Sequence, residues 1–349
     1  MWGHIGKVRR TTLQPPRKLS AAPEAAVEGG AANSRVSRFD PRAKSDSLQY
    51  ERLERPSGAR EQRRPLFDPA GWIRSFERAA SHFLSRRLYP SIPGLSWPYS
   101  QILQRQLTLS SATIALESLP QPFDGVRILV VSDIHAGPFV SPATLRGAIQ
   151  KLMLLKPDLV LLPGDLVTAR VSEFDQHREA FELFRAPLGC FATLGNHDHY
   201  TGDVAGLVDR MQASGIELLT NRSIELERAG QRLSLAGVDD LVMGSPDLER
   251  ALDDTTGPVV LMSHNPDLLF DAARRDVALM ISGHTHAGQV RIPGLPVIVR
   301  QSRYRLDEGR FRVRETEAVV SRGLGVVGVP LRLYCSPEAL LLTLRRSPA

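Results

Sequence analysis

Hydrophobic and polar positions divide the chain into three regimes. Residues 1–64 hold no sustained apolar period and are rich in Arg, Pro, Ala, Ser and Gly. Such a stretch buries too little apolar surface to offset the entropy lost on ordering, so a disordered basic tail is expected. Residues 65–104 read as an amphipathic helical segment. In "DPAGWIRSFERAASHFLSRRL" (68–88), Asp68 can cap a helix that Pro69 begins, and Trp72, Ile73, Phe76, Ala80, Phe83, Leu84 and Leu88 recur at helical spacing. Arg74, Arg78, Arg86 and Arg87 surround this stripe. It suits an anionic membrane surface or docking on the protein's own domain, and the pattern leaves both open.

Residues 105–349 read as one α/β domain. "TLSSATIALESL" alternates like an edge strand, whereas "VRILVV" (126–131) is continuously apolar, as a strand covered on both faces should be. Ser141-Pro142 opens a predicted helix ending near Leu155, and "DLVLL" (158–162) is the next strand. A helix over 173–185, a strand at "GCFATL" (189–194) and a helix over 203–214 follow. "RLSLAGVDD", "PVVLMS" and "VALMIS" supply further strands, and Val297 to Leu344 reads as β hairpins with a Gly-rich turn at "SRGLGVVG". Strand and helix in repeated alternation mean a layered sheet with helices outside.

Charge sharpens the division. The tail carries 14 Lys/Arg against 7 Asp/Glu, so a chain of net charge +6 leaves its remaining 285 residues at −1. A near-neutral globular portion disfavours long polyanions, and nucleic acid is not an expected partner. Two distant cysteines, Cys190 and Cys335, support neither a disulfide framework nor a thiolate zinc site. No apolar run reaches membrane-spanning length, and Arg9-Arg10 has no apolar stretch behind it, so no span or secretory signal is expected. The expected location is cytoplasmic, with peripheral contact at the inner face of the membrane through residues 68–88.

Candidate chemistry collects at strand ends. Asp133 and His135 follow "VRILVV", Asp165 follows "DLVLLPG", Asn196 and His197 follow "CFATLG", His264 follows "PVVLMS", and His284 and His286 follow "VALMISG". An Asp at one strand end is ordinarily a turn or cap, and one buried His is ordinarily structural. Five strands delivering such residues at the edge where α/β sites assemble outweigh those readings. Carboxylate, amide and imidazole donors suit two divalent ions, Mn²⁺, Fe or Zn²⁺, with Asp165 placed to present an oxygen to each. Gly164, Gly195 and Gly283 adjoin the donors and allow close backbone approach. His284 and His286, two apart, point the same way if their segment is extended.

The blocks "SDIHAG", "PGDLV", "LGNHDHY", "LMSHNPD" and "SGHTHAGQ" resemble, in order and spacing, the calcineurin-like metallophosphoesterase superfamily across residues 105–345. Within it, "LPQPFDGVRILVVSDIH", "SHNPD" and "VSRGLGVVGVPLRLYCSPEALLLTL" are most similar to the bacterial phosphodiesterase branch represented by YaeI and YkuE. The resemblance implies a four-layered α/β/β/α sandwich. It also implies one ion on Asp133, His135, Asp165 and His286, and another on Asp165, Asn196, His264 and His284. A hydroxide bridging the ions would attack phosphorus in line, and His197 would assist the leaving group.

The implied activity is hydrolysis of a phosphodiester or pyrophosphate bond, with a lipid-linked or nucleotide substrate within range. Competing readings are a cyclic-nucleotide or nucleic-acid phosphodiesterase, and a catalytically silent scaffold that binds a protein partner. All seven ligand positions being filled opposes the scaffold. The chain departs from the family pattern in places. "GDLVTAR" lacks the "GDxxDRG" of protein phosphatases and leaves His197 without an identified carboxylate partner. Ala287 replaces a usual glycine and narrows the approach, and His199 is read as an exposed loop residue.

Overall fold

Alternate residues along the parallel strands go to opposite sides of each sheet, and this decides the architecture. The protein is seen in a computed structural model that describes residues 48, 50–53, 84–295, 297 and 299–347. In chain order the strands are β1 (Tyr50–Arg52), β2 (Thr108–Leu116), β3 (Arg127–Val130), β4 (Leu159–Pro163), β5 (Cys190–Thr193), β6 (Glu217–Leu218), β7 (Arg222–Arg228), β8 (Gln231–Gly237), β9 (Val259–Met262), β10 (Leu279–Ser282), β11 (Gly309–Val313), β12 (Thr316–Val320) and β13 (Glu338–Arg346). They form a seven-stranded sheet, β1-β11-β12-β10-β9-β8-β7, and a six-stranded sheet, β2-β13-β3-β4-β5-β6.

The two sheets pack face to face. Ile128, Val130 and Leu161 from one meet Leu235, Val260 and Ile281 from the other in a common buried cluster. Their chain neighbours point outward instead. Leu129, Val160 and Ala192 pack with Leu145, Ile149 and Leu207 of the helices Pro142–Met153 and Val204–Ala213. Leu261, Met280 and Val320 pack with Leu269 and Ala272 of the helix Leu269–Ala272. Helix, sheet, sheet and helix make the four layers that the resemblance implies.

Most of the predicted elements form where the pattern places them. Ser141 caps its helix by accepting from the Thr144 N–H at 3.2 Å. The helix predicted over 173–185 is broken into Val171–Gln176 and Arg178–Phe181. The break is at His177, whose buried ring lies 3.0 Å from the Val140 carbonyl. The hairpins predicted from Val297 to Leu344 reduce to one, β11–β12. β13 instead runs in the other sheet, parallel to β2 and antiparallel to β3.

Most of the N-terminal expectations fall outside the described residues. Tyr50–Arg52, inside the stretch read as a disordered tail, pair in parallel with β11, from Tyr50↔Arg310 to Arg52↔Arg312. A three-residue edge strand needs only backbone partners, so composition does not announce it. The rest of residues 1–64, and residues 65–83 of the amphipathic segment, lie outside the described residues. Within 84–104, the helix Ser96–Gln106 buries Tyr99 and Leu103 in the core beside the six-stranded sheet and so belongs to the domain. Among the described residues no helix is long and apolar enough to cross a membrane.

Candidate metal centre and active site

The carboxyl ends of β3, β4, β5, β9 and β10 meet at one edge of the sandwich, and all seven predicted donors converge there, each at most 9% exposed. One group comprises Asp133, His135, Asp165 and His286, whose candidate donor atoms lie within 4.8 Å of one another. His286 Nε2 is 3.0 Å from His135 Nε2 and 3.5 Å from an Asp133 oxygen. In the other, His284 Nδ1 lies 3.1 Å from Asn196 Oδ1 and 3.2 Å from His264 Nε2. Asp165 joins them, with Oδ2 3.5 Å from His135 Nε2 and 3.2 Å from His264 Nε2.

This convergence is held in place by unusual backbone. Asp133, His135, Asp165, His284 and His286 all adopt left-handed φ, from 45° to 72°. Each such residue costs about 1–2 kcal/mol, and surrounding structure must over-determine it. The His135 N–H donates to the Asp165 carbonyl at 3.0 Å, the Gly325 N–H donates to the Asp133 carbonyl at 2.6 Å, and the His284 N–H donates to the Asp133 carboxylate at 2.9 Å. The extended segment expected for His284 and His286 is absent. Both rings still face the centre, one through Nδ1 and the other through Nε2, because two left-handed residues turn the chain between them.

The glycines serve by having no side chain. A Cβ on Gly195 would fall 2.2 Å from Asp165 Oδ1, and one on Gly283 would fall 2.2 Å from Asp133 Oδ2.

Electrostatically the cluster is built for cations. Burial alone would raise Asp165, but the rings of His264 and His197 hold it well below the usual carboxylate range. Burial, with the Asp165 charge, pushes Asp133 up to about 6. Burial holds His135 and His286 well below an ordinary imidazole and brings His284 down to about 3, so these rings keep a nitrogen lone pair at neutral pH. His264 runs the other way. Burial opposes its charge, yet the Asp165 and Asp133 carboxylates raise it well above 6.5. The two carboxylates thus favour positive charge at this position. The donor types and this demand for positive charge fit divalent ions.

Second contacts orient the rings. His264 Nδ1–H donates to the Pro163 carbonyl at 2.9 Å and turns Nε2 inward, the usual arrangement behind a metal-facing imidazole. His197, half-buried, has its backbone N–H on Asp165 Oδ1 at 2.8 Å and its Nδ1 2.6 Å from the Thr168 carbonyl. The partner left unidentified in the sequence is therefore a backbone carbonyl. His199, expected to be exposed, is mostly buried and lies 2.8 Å from Asp239 Oδ1, tying the 196–200 turn to the loop after β8. Ala287 is fully buried at φ 50°.

Three residues went unread. Asp198 accepts from the N–H groups of Gly195 and Leu166, each at 2.9 Å, and so ties the β4 and β5 loops together. Arg332, buried, donates to His286 Nδ1 at 3.1 Å, and Thr168 supplies the carbonyl to His197. For Arg332 a signal existed: a lone arginine inside the apolar run "VPLRLYC".

Comparison with known proteins adds the following. The family profile described as Calcineurin-like phosphoesterase matches residues 126–288. The chain is 31% identical over 260 residues to an uncharacterized metallophosphoesterase, YkuE, of Bacillus subtilis, covering 72% of this chain and 91% of that protein. It is 31% identical to the phosphodiesterase YaeI of Escherichia coli, covering 62% of this chain and 82% of that one. A zebrafish (Danio rerio) transmembrane protein with metallophosphoesterase domain is 34% identical over 67% of this chain, which spans 56% of that longer protein.

Proposed function

Because the chain belongs to the calcineurin-like phosphoesterase family, whose members are metal-dependent phosphoester hydrolases, we propose that it hydrolyses a phosphodiester or pyrophosphate bond at a centre of two divalent ions. The observation that carries this reading is the position of Asp165 Oδ2, facing His135 on one side and His264 on the other. Asp133, His135, Asp165 and His286 would hold one ion, and Asp165, Asn196, His264 and His284 the other. Mn²⁺ is the first ion to test, with Fe and Zn²⁺ also suited to oxygen and imidazole donors. Bound there, two divalent ions activate water and neutralise charge on phosphoryl oxygens.

The chain's own groups do the rest. Asp165 positions His197 through the backbone bond and the Thr168 carbonyl fixes its Nδ1–H, so Nε2 is left to meet the departing oxygen of the substrate. Burial of the donors excludes bulk water and strengthens each electrostatic interaction at the reacting phosphorus. The phosphodiesterase name of the Escherichia coli relative supports a diester over a monoester.

The test is a metal titration of the purified chain joined to an assay on bis(p-nitrophenyl) phosphate and p-nitrophenyl phosphate. The reading requires two bound equivalents of Mn²⁺, turnover of the diester, loss in chelator and recovery with Mn²⁺. A chain that binds metal but cleaves no diester or pyrophosphate in a broad substrate screen is instead a scaffold.

A further inference from the structure

The edge that carries the metal centre also carries the molecule's exposed apolar side chains. Thirteen large apolar residues are exposed among the described residues, and all but Leu154 lie in segments that leave this edge or are tied to it. The prominent ones are Trp97 (67% exposed), Ile292, Leu295 (58%), Val299, Leu331 and Tyr334 (72%). They belong to two loops, following β10 and β12, and to the stretch before β2. These segments are held together. Gln289 Nε2–H donates to the Val327 and Val329 carbonyls at 3.0 and 3.2 Å, the Arg291 N–H donates to the Leu333 carbonyl at 2.9 Å, and the Tyr89 hydroxyl donates to the Gly328 carbonyl at 2.9 Å. The result is a rim of apolar tips on a fixed base, and His286 and Arg332 belong to the same loops.

Charge on this rim is one-sided. Residues 84–107, 283–308 and 321–337 contain nine arginines against two acids, Asp307 and Glu308, in a chain whose residues 65–349 sum to −1. Several of these arginines pair at the base, Arg291 with Glu308, Arg300 with Asp307 and Arg322 with Glu338, and Arg303 reaches Asp267 at 3.8 Å while keeping 76% of its side chain exposed. Exposed Leu, Val, Trp and Tyr among arginines that outnumber the acids match the boundary between lipid headgroups and acyl chains. A second copy would bring two positive rims together, which like charges oppose. The chain's own residues 54–83 carry six arginines against four acids and are likewise positive.

We propose that this edge docks on an anionic lipid bilayer, with the apolar tips at acyl depth and the arginines among the headgroups. The surface is distinct from residues 68–83, and its lipid binding does not depend on turnover.

The full chain is tested by co-sedimentation with vesicles of phosphatidylcholine alone and of phosphatidylcholine mixed with phosphatidylglycerol. Binding is expected only to the anionic vesicles. Leu295→Glu/Leu331→Glu/Tyr334→Glu should weaken it by at least about tenfold, and Arg303→Gln/Arg305→Gln by about fivefold per arginine. Unfolding midpoints establish that these variants fold. A fluorophore on Leu295→Cys, with Cys190 and Cys335 both buried, should become shielded from water only when anionic vesicles are added. The proposal is overturned by absent vesicle binding, by folded variants that bind as well as the parent, or by a label already shielded without lipid. That last outcome would assign the rim to the chain's own residues or to a second copy.

Discussion

Arg332 Nη2 lies 3.1 Å from Nδ1 of His286, and a guanidinium only donates. His286 Nδ1 therefore holds the lone pair, and the proton of the neutral ring sits on Nε2, facing His135 and Asp133. A cation that takes Nε2 must displace that proton, which a neutral ring then carries on Nδ1, so the Arg332 guanidinium has to turn away and opposes metal uptake. In Arg332→Met the ring is free to carry its proton on Nδ1, and Mn²⁺ should bind about tenfold more tightly. Metal titration of both proteins measures this, and equal or weaker binding by the folded variant would refute it. The variant should also lose about 2–3 kcal/mol of stability, because the Gly325 and Arg322 carbonyls lose their donor.

Asp165 and His197 should separate binding from chemistry. Asp165→Asn removes the carboxylate shared by both groups of donors and is expected to abolish metal retention and nearly all turnover. His197→Ala keeps every proposed ligand, so two ions should remain while kcat falls about 10²–10³-fold. Metal content measured beside kcat decides. Undiminished turnover in Asp165→Asn would end the site assignment.

Crowding alone should disable the centre. A methyl group at position 283 would press on Asp133 Oδ2, and one at 195 on Asp165 Oδ1. Gly283→Ala and Gly195→Ala should each lose about 10²-fold in kcat, as misplacement by about 1 Å does. Gly147→Ala is the control. Its added Cβ meets nothing within 4 Å, and inside the helix Pro142–Met153 it should gain roughly 0.5–1 kcal/mol in unfolding with activity unchanged.

The His199–Asp239 pair gives stability a pH dependence. Hydrogen bonding to Asp239 raises His199 above the free imidazole value although burial opposes it, so the folded chain holds this proton more tightly than the unfolded one. That contribution is complete below about pH 6.5 and fades as pH rises through the folded value. Asp239 is depressed despite its burial, by bonds from His199 and the backbone N–H groups of Ser245 and Asp240, so its contribution fades as pH falls through its own folded value. The unfolding midpoint of His199→Gln should decline less on the alkaline side than that of the parent. Parallel curves would rule out the linkage.

The seven proposed donors were legible because each follows an apolar strand directly, and strand ends at one edge of a sheet converge whatever the loops do. The four layers were legible in the doubly apolar strands such as "VRILVV". Other features rest on contacts that no local pattern encodes. Thr168 contributes a carbonyl, which every residue type owns. Arg332 works from a strand-poor loop 46 positions beyond His286. β7 has only Ile224 and Leu226 as apolar residues and gains its place by hairpin pairing with β8, across a turn where Ala229 and Gly230 both take positive φ.

β3, which leads directly to Asp133, pairs on one side with β13, more than two hundred positions further along the chain. During synthesis this strand must therefore wait, with its flank open, until nearly all of the domain has left the ribosome. Folding of the centre is then a late and slow event, as long-range pairing makes it. Until β13 arrives, the nascent chain exposes a strand edge that chaperones would have to shield.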